Sequence, residues 1–132
     1  MLPPELRDVV FARCAEGKFM LTCYDGCLVG FPLPDWEEFE QILLAIKNPS
    51  RKLRDFRRLV IGSAEELVLD KQGRVLLSQA HREYALVDKE VELVGQQQKF
   101  EIWNPERYSK VLNQDFDDVT AELRDGGIYI PL

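Results

Sequence analysis

The chain has 132 residues, enough for one domain with its own core, and its hydrophobic content of 45% is typical of globular proteins. A net charge of −6 and a pI near 4.9 argue against a protein that coats nucleic acid by bulk electrostatics, because phosphate binding needs clustered Lys and Arg. No apolar run approaches the roughly 20 residues of a membrane span, and no basic and then apolar segment opens the chain, so we expect a cytoplasmic protein without a membrane segment.

The start of the chain predicts a short helix followed by a β-hairpin. Two prolines precede a helix that we expect from about Glu5 to Ala12. Apolar runs at 19–22 and 28–31 then flank Asp25-Gly26, and an Asp-Gly pair between apolar runs is typical of a hairpin turn.

Two helices are predicted next. Asp35 is a good N-cap with Glu38 three residues later, as in a capping box, and the helix it opens ends near Asn48. A second helix is expected from Arg51 to about Ile61. It places Leu53, Phe56 and Val60 on one side and Arg51, Arg54 and Arg58 on the other. The arginine face is either a solvated surface or a contact for a partner or a phosphate, and the pattern leaves both open.

The centre of the chain predicts two strands joined by a polar turn. Apolar residues at 67–69 and 75–77 flank Asp-Lys-Gln-Gly-Arg at 70–74. Gly73 suits a positive φ, and Asp70 can accept hydrogen bonds from the backbone two residues on, so these two residues are expected to define the turn. The turn would lift Lys71 and Arg74 off the sheet. On its own the motif fits an ordinary hairpin as well as a binding loop.

The second half predicts a short helix at 78–86, alternating strands at 90–94 and 99–103, and a final helix opened by Asn104-Pro105. That helix is expected to turn Tyr108, Val111 and Leu112 inward. His81, in the short helix, is expected at the surface. Beyond residue 113 the chain is acidic and reads as a loosely held tail.

Metal, cofactor and enzyme chemistry are not indicated. Cys14, Cys23 and Cys27 cannot all pair with one another and are expected to be free thiols, and His81 is the only histidine, so the usual set of four zinc ligands is lacking. There is no phosphate-binding glycine loop and no nucleophile beside a base. We therefore expect no metal, no cofactor, no small-molecule substrate and no enzymatic activity.

An internal repeat relates the two halves. Leu2 and Arg7 match Leu77 and Arg82 at one offset, and 31–32 matches 102–103 at a slightly smaller one. A repeat of this length does not easily bury its own apolar face, so the two units should share one core. Applying the offset to Asp70 gives a position before Met1, so the first unit lacks its own Asp-x-x-Gly-Arg element.

The combination of motifs resembles the MraZ family over most of the chain from Met1 to about Leu112. The motifs are GSAEE at 62–66, DKQGR at 70–74, FEIW at 100–103, LTCYDGC at 21–27 and PDWE at 34–37. The resemblance implies an α+β fold of two AbrB-like swapped-hairpin repeats around one pseudo-twofold barrel core, with the first repeat incomplete at its N-terminus. The repeats would occupy 1–62 and 63–112, and 113–132 would form the acidic tail.

The resemblance also implies a function. MraZ proteins are DNA-binding transcriptional regulators of the bacterial cell division and cell wall gene cluster, and they act as ring-like homo-oligomers on repeated promoter sites. The partners would be double-stranded DNA and further copies of the chain, in the cytoplasm at the nucleoid. Lys71, Arg74 and Arg82 are the residues to which the family's DNA contacts can be carried over.

Two departures from the family pattern leave an alternative open. Ser78-Gln79 stands where prolines are usual, and the missing first Asp-x-x-Gly-Arg removes a strand pair and roughly half of the DNA-reading surface implied by the resemblance. An unpaired edge invites pairing with another chain. The alternative is therefore an oligomeric scaffold or protein-interaction module that has lost DNA binding.

Overall fold

The computed structural model describes residues 4–13, 16–97 and 99–131. Within them the chain forms α1 (Pro4–Arg13), β1 (Lys18–Tyr24), β2 (Cys27–Pro32), α2 (Leu33–Ala45), α3 (Arg51–Val60), β3 (Glu65–Val68), α4 (Gln79–Ala85), β4 (Glu92–Gln96), β5 (Lys99–Trp103), α5 (Pro105–Leu112) and α6 (Asp117–Asp125). The fold is mixed α+β, as the sequence predicted. No helix in the described ranges is both long and apolar enough to span a bilayer.

The five strands form one antiparallel sheet in the order β3-β1-β2-β5-β4. The β1–β2 hairpin confirms the prediction from Asp25-Gly26, and both turn residues have positive φ, 57° and 79°. This conformation matches the twist of the flanking strands, which is why Asp-Gly is favoured there. β2 and β5 join the two hairpins at the middle of the sheet.

Helices cover both faces of the sheet because successive strand residues point to opposite sides. The larger core lies against α1 and α4, and Phe19 and Phe100 meet in it edge to face with ring centroids 5.5 Å apart. The other face carries Trp36, Leu43 and Val60 under α2 and α3, and Trp103 beside α5. The segment between β3 and α4 contributes to the larger core, because Val75 and Leu77 pack against it.

Helix α2 is capped three residues earlier than predicted. Pro32 is its N-cap and makes no side-chain capping bond, so the capping box expected from Asp35 and Glu38 is wrong. Pro34 explains the shift, since a proline in the first turn lacks only an N–H that has no helical partner there. Asp35 lies in that first turn, where the helix dipole favours a carboxylate.

The cap predicted for α5 is confirmed, and α3 has a similar cap, Ser50, that was not predicted. Ser50 Oγ accepts from the N–H of Leu53 at 3.1 Å, and Asn104 Oδ1 accepts from the N–H of Arg107 at 3.0 Å. Tyr108 and Val111 pack inward as expected, whereas Leu112 is exposed and that expectation is wrong. Helix α6 lies within the stretch read from sequence as a loose acidic tail and was not predicted.

His81 is buried, which corrects the prediction of a surface position. Its side chain is 1% exposed, and Nε2 lies 2.7 Å from the carbonyl oxygen of Ser63 and 3.3 Å from a carboxylate oxygen of Glu65. Ser78 caps α4 by accepting from the His81 N–H at 3.2 Å. The helix was predicted correctly, but the side of it that faces inward was not. His81 faces the segment between α3 and β3 because α4 packs on the sheet in that orientation.

The second strand predicted for the central hairpin is also wrong. Residues 65–68 form β3, but residues 74–78 have no strand pairing in the described part of the chain. β3 pairs with β1 instead, and the N–H of Leu69 donates to the carbonyl of Gly17 at 2.9 Å. Leu76 is 86% exposed as a result.

Candidate nucleic-acid interface

The turn at 70–74 is closed by its own backbone and by one carboxylate. The N–H of Gly73 donates to the carbonyl of Asp70 at 2.9 Å, and the N–H of Asp70 donates to the carbonyl of Arg74 at 3.0 Å. Oδ1 of Asp70 accepts from the backbone N–H groups of Gln72 at 2.9 Å and Arg74 at 2.7 Å. Gly73 has φ +80°, a region that L side chains rarely adopt. Asp70 and Gly73 thus supply the acceptor and the left-handed residue of the turn.

The side chain of Arg74 is oriented by the same turn. Its Nε donates to Oδ2 of Asp70 at 3.0 Å, and its Nη2 donates to Oε1 of Gln72 at 3.0 Å. The backbone N–H of Arg74 and then its guanidinium hold the pKa of Asp70 below its usual value, because both favour the carboxylate. Arg74 is nevertheless 63% exposed, and within the described residues its Nη1 donates to no protein acceptor. A nucleic-acid acceptor could therefore use the outer edge of the guanidinium without breaking either bond.

Arg7 of α1 lies against the turn, which sequence reasoning did not predict. Gly73 is buried, and a Cβ built on it would collide with the aliphatic stem of Arg7. The glycine therefore serves both the positive φ and the close approach of Arg7. In the sequence, Arg7 was noted only for its match to Arg82 in the repeat. That match placed Arg7 in the first unit and gave no sign that it lies beside the turn at 70–74, which belongs to the second unit.

Lys71 and Arg82 lie in different surroundings. Lys71 is exposed in the same turn as Arg74, and Arg7 of α1 approaches that turn at Gly73. Arg82 projects from α4 and is exposed. It lines a cavity of about 260 Å³ together with the segment after the turn, the loop before β4, and one residue each of β4 and β5. These residues are Val75, Leu76, Leu77, Asp88, Lys89, Val91, Leu93 and Ile102. Arg82 thus borders the segment that follows the turn.

The basic face predicted on α3 is also observed. Arg51, Arg54 and Arg58 are exposed, while Val60 is buried beneath the helix. Asp55 pairs with Arg51 at 3.7 Å and with Arg58 at 2.6 Å, and both pairs are open to solvent. Exposed pairs of this kind contribute little to stability, so the face remains available for a partner.

The thiols do not form a metal centre in the described ranges. Cys23 and Cys27 are free and buried, and burial raises the pKa of the Cys27 thiol to about 12. No group of three or more Cys, His, Asp or Glu among the residues the structure describes could hold a metal ion. Cys14 lies outside those residues.

A family model matches half of this chain, and relatives match all of it. A family model described as "MraZ protein, putative antitoxin-like" matches residues 60–125, from the end of α3 to the end of α6. A relative from Nitratidesulfovibrio vulgaris (strain Miyazaki F), named "Transcriptional regulator MraZ", is 55% identical over all of this chain and 89% of its own length. The chain belongs to the MraZ family.

Other MraZ relatives carry the same name. One from Oleidesulfovibrio alaskensis is 57% identical over all of this chain and 89% of its own length. One from Maridesulfovibrio salexigens is 46% identical over 99% of this chain and 88% of its own length. The family assigned from the motifs of the sequence is therefore confirmed, and the region matched by the family model contains the turn at 70–74.

Proposed function

We propose that this MraZ-family chain is a DNA-binding transcriptional regulator whose DNA contacts come from the turn at 70–74. The observation that carries the proposal is the fixed but exposed guanidinium of Arg74, with Lys71 in the same turn and Arg7 packed against Gly73 of that turn. Arginine can bond O6 and N7 of guanine bidentately in the major groove, while lysine suits phosphate as a point charge. The names of the relatives support a role in transcription.

In its finer form the proposal follows the family. The chain would act on repeated promoter sites of the bacterial cell division and cell wall gene cluster, as a ring-like homo-oligomer in the cytoplasm at the nucleoid. Assembly matters physically because one acidic subunit offers few phosphate contacts, and repetition multiplies weak contacts into avidity. Arg82, beside the segment at 75–77, would add a contact next to the turn.

Two AbrB-like units sharing one core fit the arrangement of the sheet. Each hairpin leads directly into a helix, whose N-cap is the last residue of β2, Pro32, in one unit and the residue after β5, Asn104, in the other. The second strands of the two hairpins, β2 and β5, lie antiparallel to each other, as a pseudo-twofold axis between the units requires. Aligning the two N-caps pairs Phe31 with Trp103, one residue from the match made on sequence alone.

The test is a DNA titration with matched variants. Fluorescence anisotropy with duplex fragments tiled across the promoter of its own gene should find fragments bound more tightly than scrambled ones, with affinity falling as salt rises from about 50 to 200 mM. Arg74→Ala should weaken specific binding by about 1–3 kcal/mol per contacted site. Lys71→Ala should lower the slope of log affinity against log salt by about one per site.

Lys110→Ala is the control for these titrations. It removes one exposed positive charge from α5 without touching the turn. Equal losses from Arg74→Ala and Lys110→Ala would refute a site at the turn.

A scaffold without DNA binding is the second candidate. It is favoured by the unpaired segment at 74–78 and by the oppositely charged faces of α3 and α6. Light scattering with and without DNA separates the two functions. An oligomer that ignores every promoter fragment would favour the scaffold.

A further inference from the structure

An open groove lies on the face of the sheet beside α2 and α3. It has a volume of about 390 Å³, within the range of roughly 300–1,000 Å³ that is usual for small-molecule sites. Thr22, Val29 and Glu101 form a row across its floor, because Thr22 pairs with Val29 and Val29 pairs with Glu101. Partner residues on neighbouring antiparallel strands point to the same face, so all three side chains belong to one surface.

Two pairs of aromatic rings line this groove. Phe31 and Phe39 stack with ring centroids 5.3 Å apart, and Tyr24 and Phe56 meet edge to face with centroids 5.6 Å apart. Phe31 is the partner of Met20, so the two pairs lie four residues apart along β1. Four residues of strand span roughly 13 Å. The floor between the two pairs therefore has room for a flat ring.

Two opposite charges line the groove from β5. Lys99 extends its Nζ over the ring of Phe31, 5.8 Å from the ring centroid. Glu101 is held in place because its Oε1 accepts from Nε1 of Trp103 at 3.0 Å and from Nε2 of Gln96 at 3.4 Å. No ion pair among the residues that the structure describes uses Lys99 or Glu101. Both charges are therefore available to a ligand.

The spacing of these charges suits a zwitterion. Residues two apart on a strand share a face and lie roughly 6.8 Å apart. An ammonium and a carboxylate on one carbon atom fit between such a pair, since charged hydrogen bonds are about 2.7–2.9 Å long. A ligand with a single charge leaves Lys99 or Glu101 unpaired and faces repulsion from the other. The hydroxyl of Thr22 bonds to the carbonyl of Val60, so the two charges are the main polar groups that a ligand meets.

We propose that this groove binds a free aromatic amino acid. The ring of the ligand lies over Val29 between the two aromatic pairs, its carboxylate meets the ammonium of Lys99, and its own ammonium meets the carboxylate of Glu101. Ring contacts hold the side chain of the ligand, and the two charges select the zwitterion. The described residues that line the groove include none of 70–74, so the inference goes beyond the proposed function.

The test compares three ligands with the same indole ring: L-tryptophan, the cation tryptamine and the anion indole-3-propionate. Amide shifts of the isotope-labelled full chain are followed by NMR during each titration, in the absence of DNA. L-tryptophan should bind with a Kd on the order of 1 mM, as expected for its size. It should bind at least about threefold tighter than either analogue, since an exposed ion pair contributes about this much. The largest shifts should come from Thr22, Val29 and Lys99.

Two variants separate the two charges. Lys99→Gln should raise the Kd of L-tryptophan to that of tryptamine, because the carboxylate then has no cation to meet. Glu101→Gln should raise it to that of indole-3-propionate, and the glutamine keeps an oxygen for the bond from Trp103. Tyr24→Leu removes one wall ring and should weaken all three ligands by a similar factor. Thermal melting of each variant checks that the fold is retained.

Lys110→Gln and Glu90→Gln are the matched controls. Each removes an exposed charge of the same kind from outside the groove, so neither should change any of the three dissociation constants. Equal binding of the three ligands would overturn the proposal, because it would show a ring pocket without recognition of charge. Absence of binding below about 10 mM, or shifts confined to residues outside the groove, would also overturn it. DNA binding is measured in a separate titration, so failure of this site and failure of the proposed function are distinguishable.

Discussion

Gly73→Ala tests whether the turn at 70–74 is built around a glycine. An alanine there must hold φ near +80°, which costs about 1–2 kcal/mol for an L residue. Its Cβ would also collide with the stem of Arg7. Arg7 can swing away because its side chain is flexible, so this second cost is smaller, about 0.5–1.5 kcal/mol for an off-rotamer adjustment. We expect a loss of about 1.5–3.5 kcal/mol in the free energy of unfolding, which follows from these two ranges.

The measurement is urea unfolding of matched variants together with the promoter titration. Gly127→Ala is the control, because Gly127 has the same φ of +80° but a Cβ there would meet nothing within 4 Å. Gly73→Ala should lower the free energy of unfolding more than Gly127→Ala does. Adding Arg7→Ala to Gly73→Ala should restore part of that free energy, and the restored part is the coupling free energy between the two residues. Gly73→Ala should also weaken DNA binding because it displaces the loop that presents Arg74. Equal unfolding costs for the two glycines, with no coupling to Arg7, would refute the packing described for the turn.

Three further predictions concern single contacts. Asp70→Asn should weaken promoter binding and should reduce the fall in the free energy of unfolding at acid pH. The folded pKa of Asp70 lies below 3.8, so its carboxylate stabilises the fold fully above that pH and loses this effect as the pH falls through the folded value. Urea midpoints measured against pH test this, and an unchanged dependence on acid pH would contradict it. His81→Phe should cost about 1–3 kcal/mol in urea unfolding, since it leaves the part-buried carbonyl of Ser63 without the bond it forms at 2.7 Å. A neutral result would show that water replaces the imidazole. Gly30→Ala should cost about 1–3 kcal/mol in thermal unfolding, because the ring of Phe100 lies directly over the glycine, and a stabilised variant would show that the ring can shift.

Local chemistry made several elements predictable from the sequence. Asp25-Gly26 sets the positive φ values of a two-residue hairpin turn, and Ser50 and Asn104 cap helices through bonds to residues three positions on. Asp70 and Gly73 likewise form a turn through contacts within five residues. These features depend on neighbours in the chain, so a single sequence contains the information.

The two largest errors involve partners far along the chain. The sequence indicated that 75–77 would pair as a strand, but β3 pairs with β1 and leaves that segment without a strand partner in the described residues. His81 was expected outside because a short helix gives little periodicity, and it is buried because α4 packs on the segment after α3. Backbone groups pair with whichever strand edge lies within reach, which no local pattern specifies.

The sequence by itself determined the family, the turn residues, most helix ends and the presence of a basic loop in an acidic chain. The tertiary structure decided which cations share a surface. Arg7 reaches the turn only because α1 packs on the same core as β3, while Arg82 borders a separate cavity. Side-chain identity and spacing fix φ angles and caps, whereas the approach of distant residues depends on how the sheet and helices bury their apolar faces.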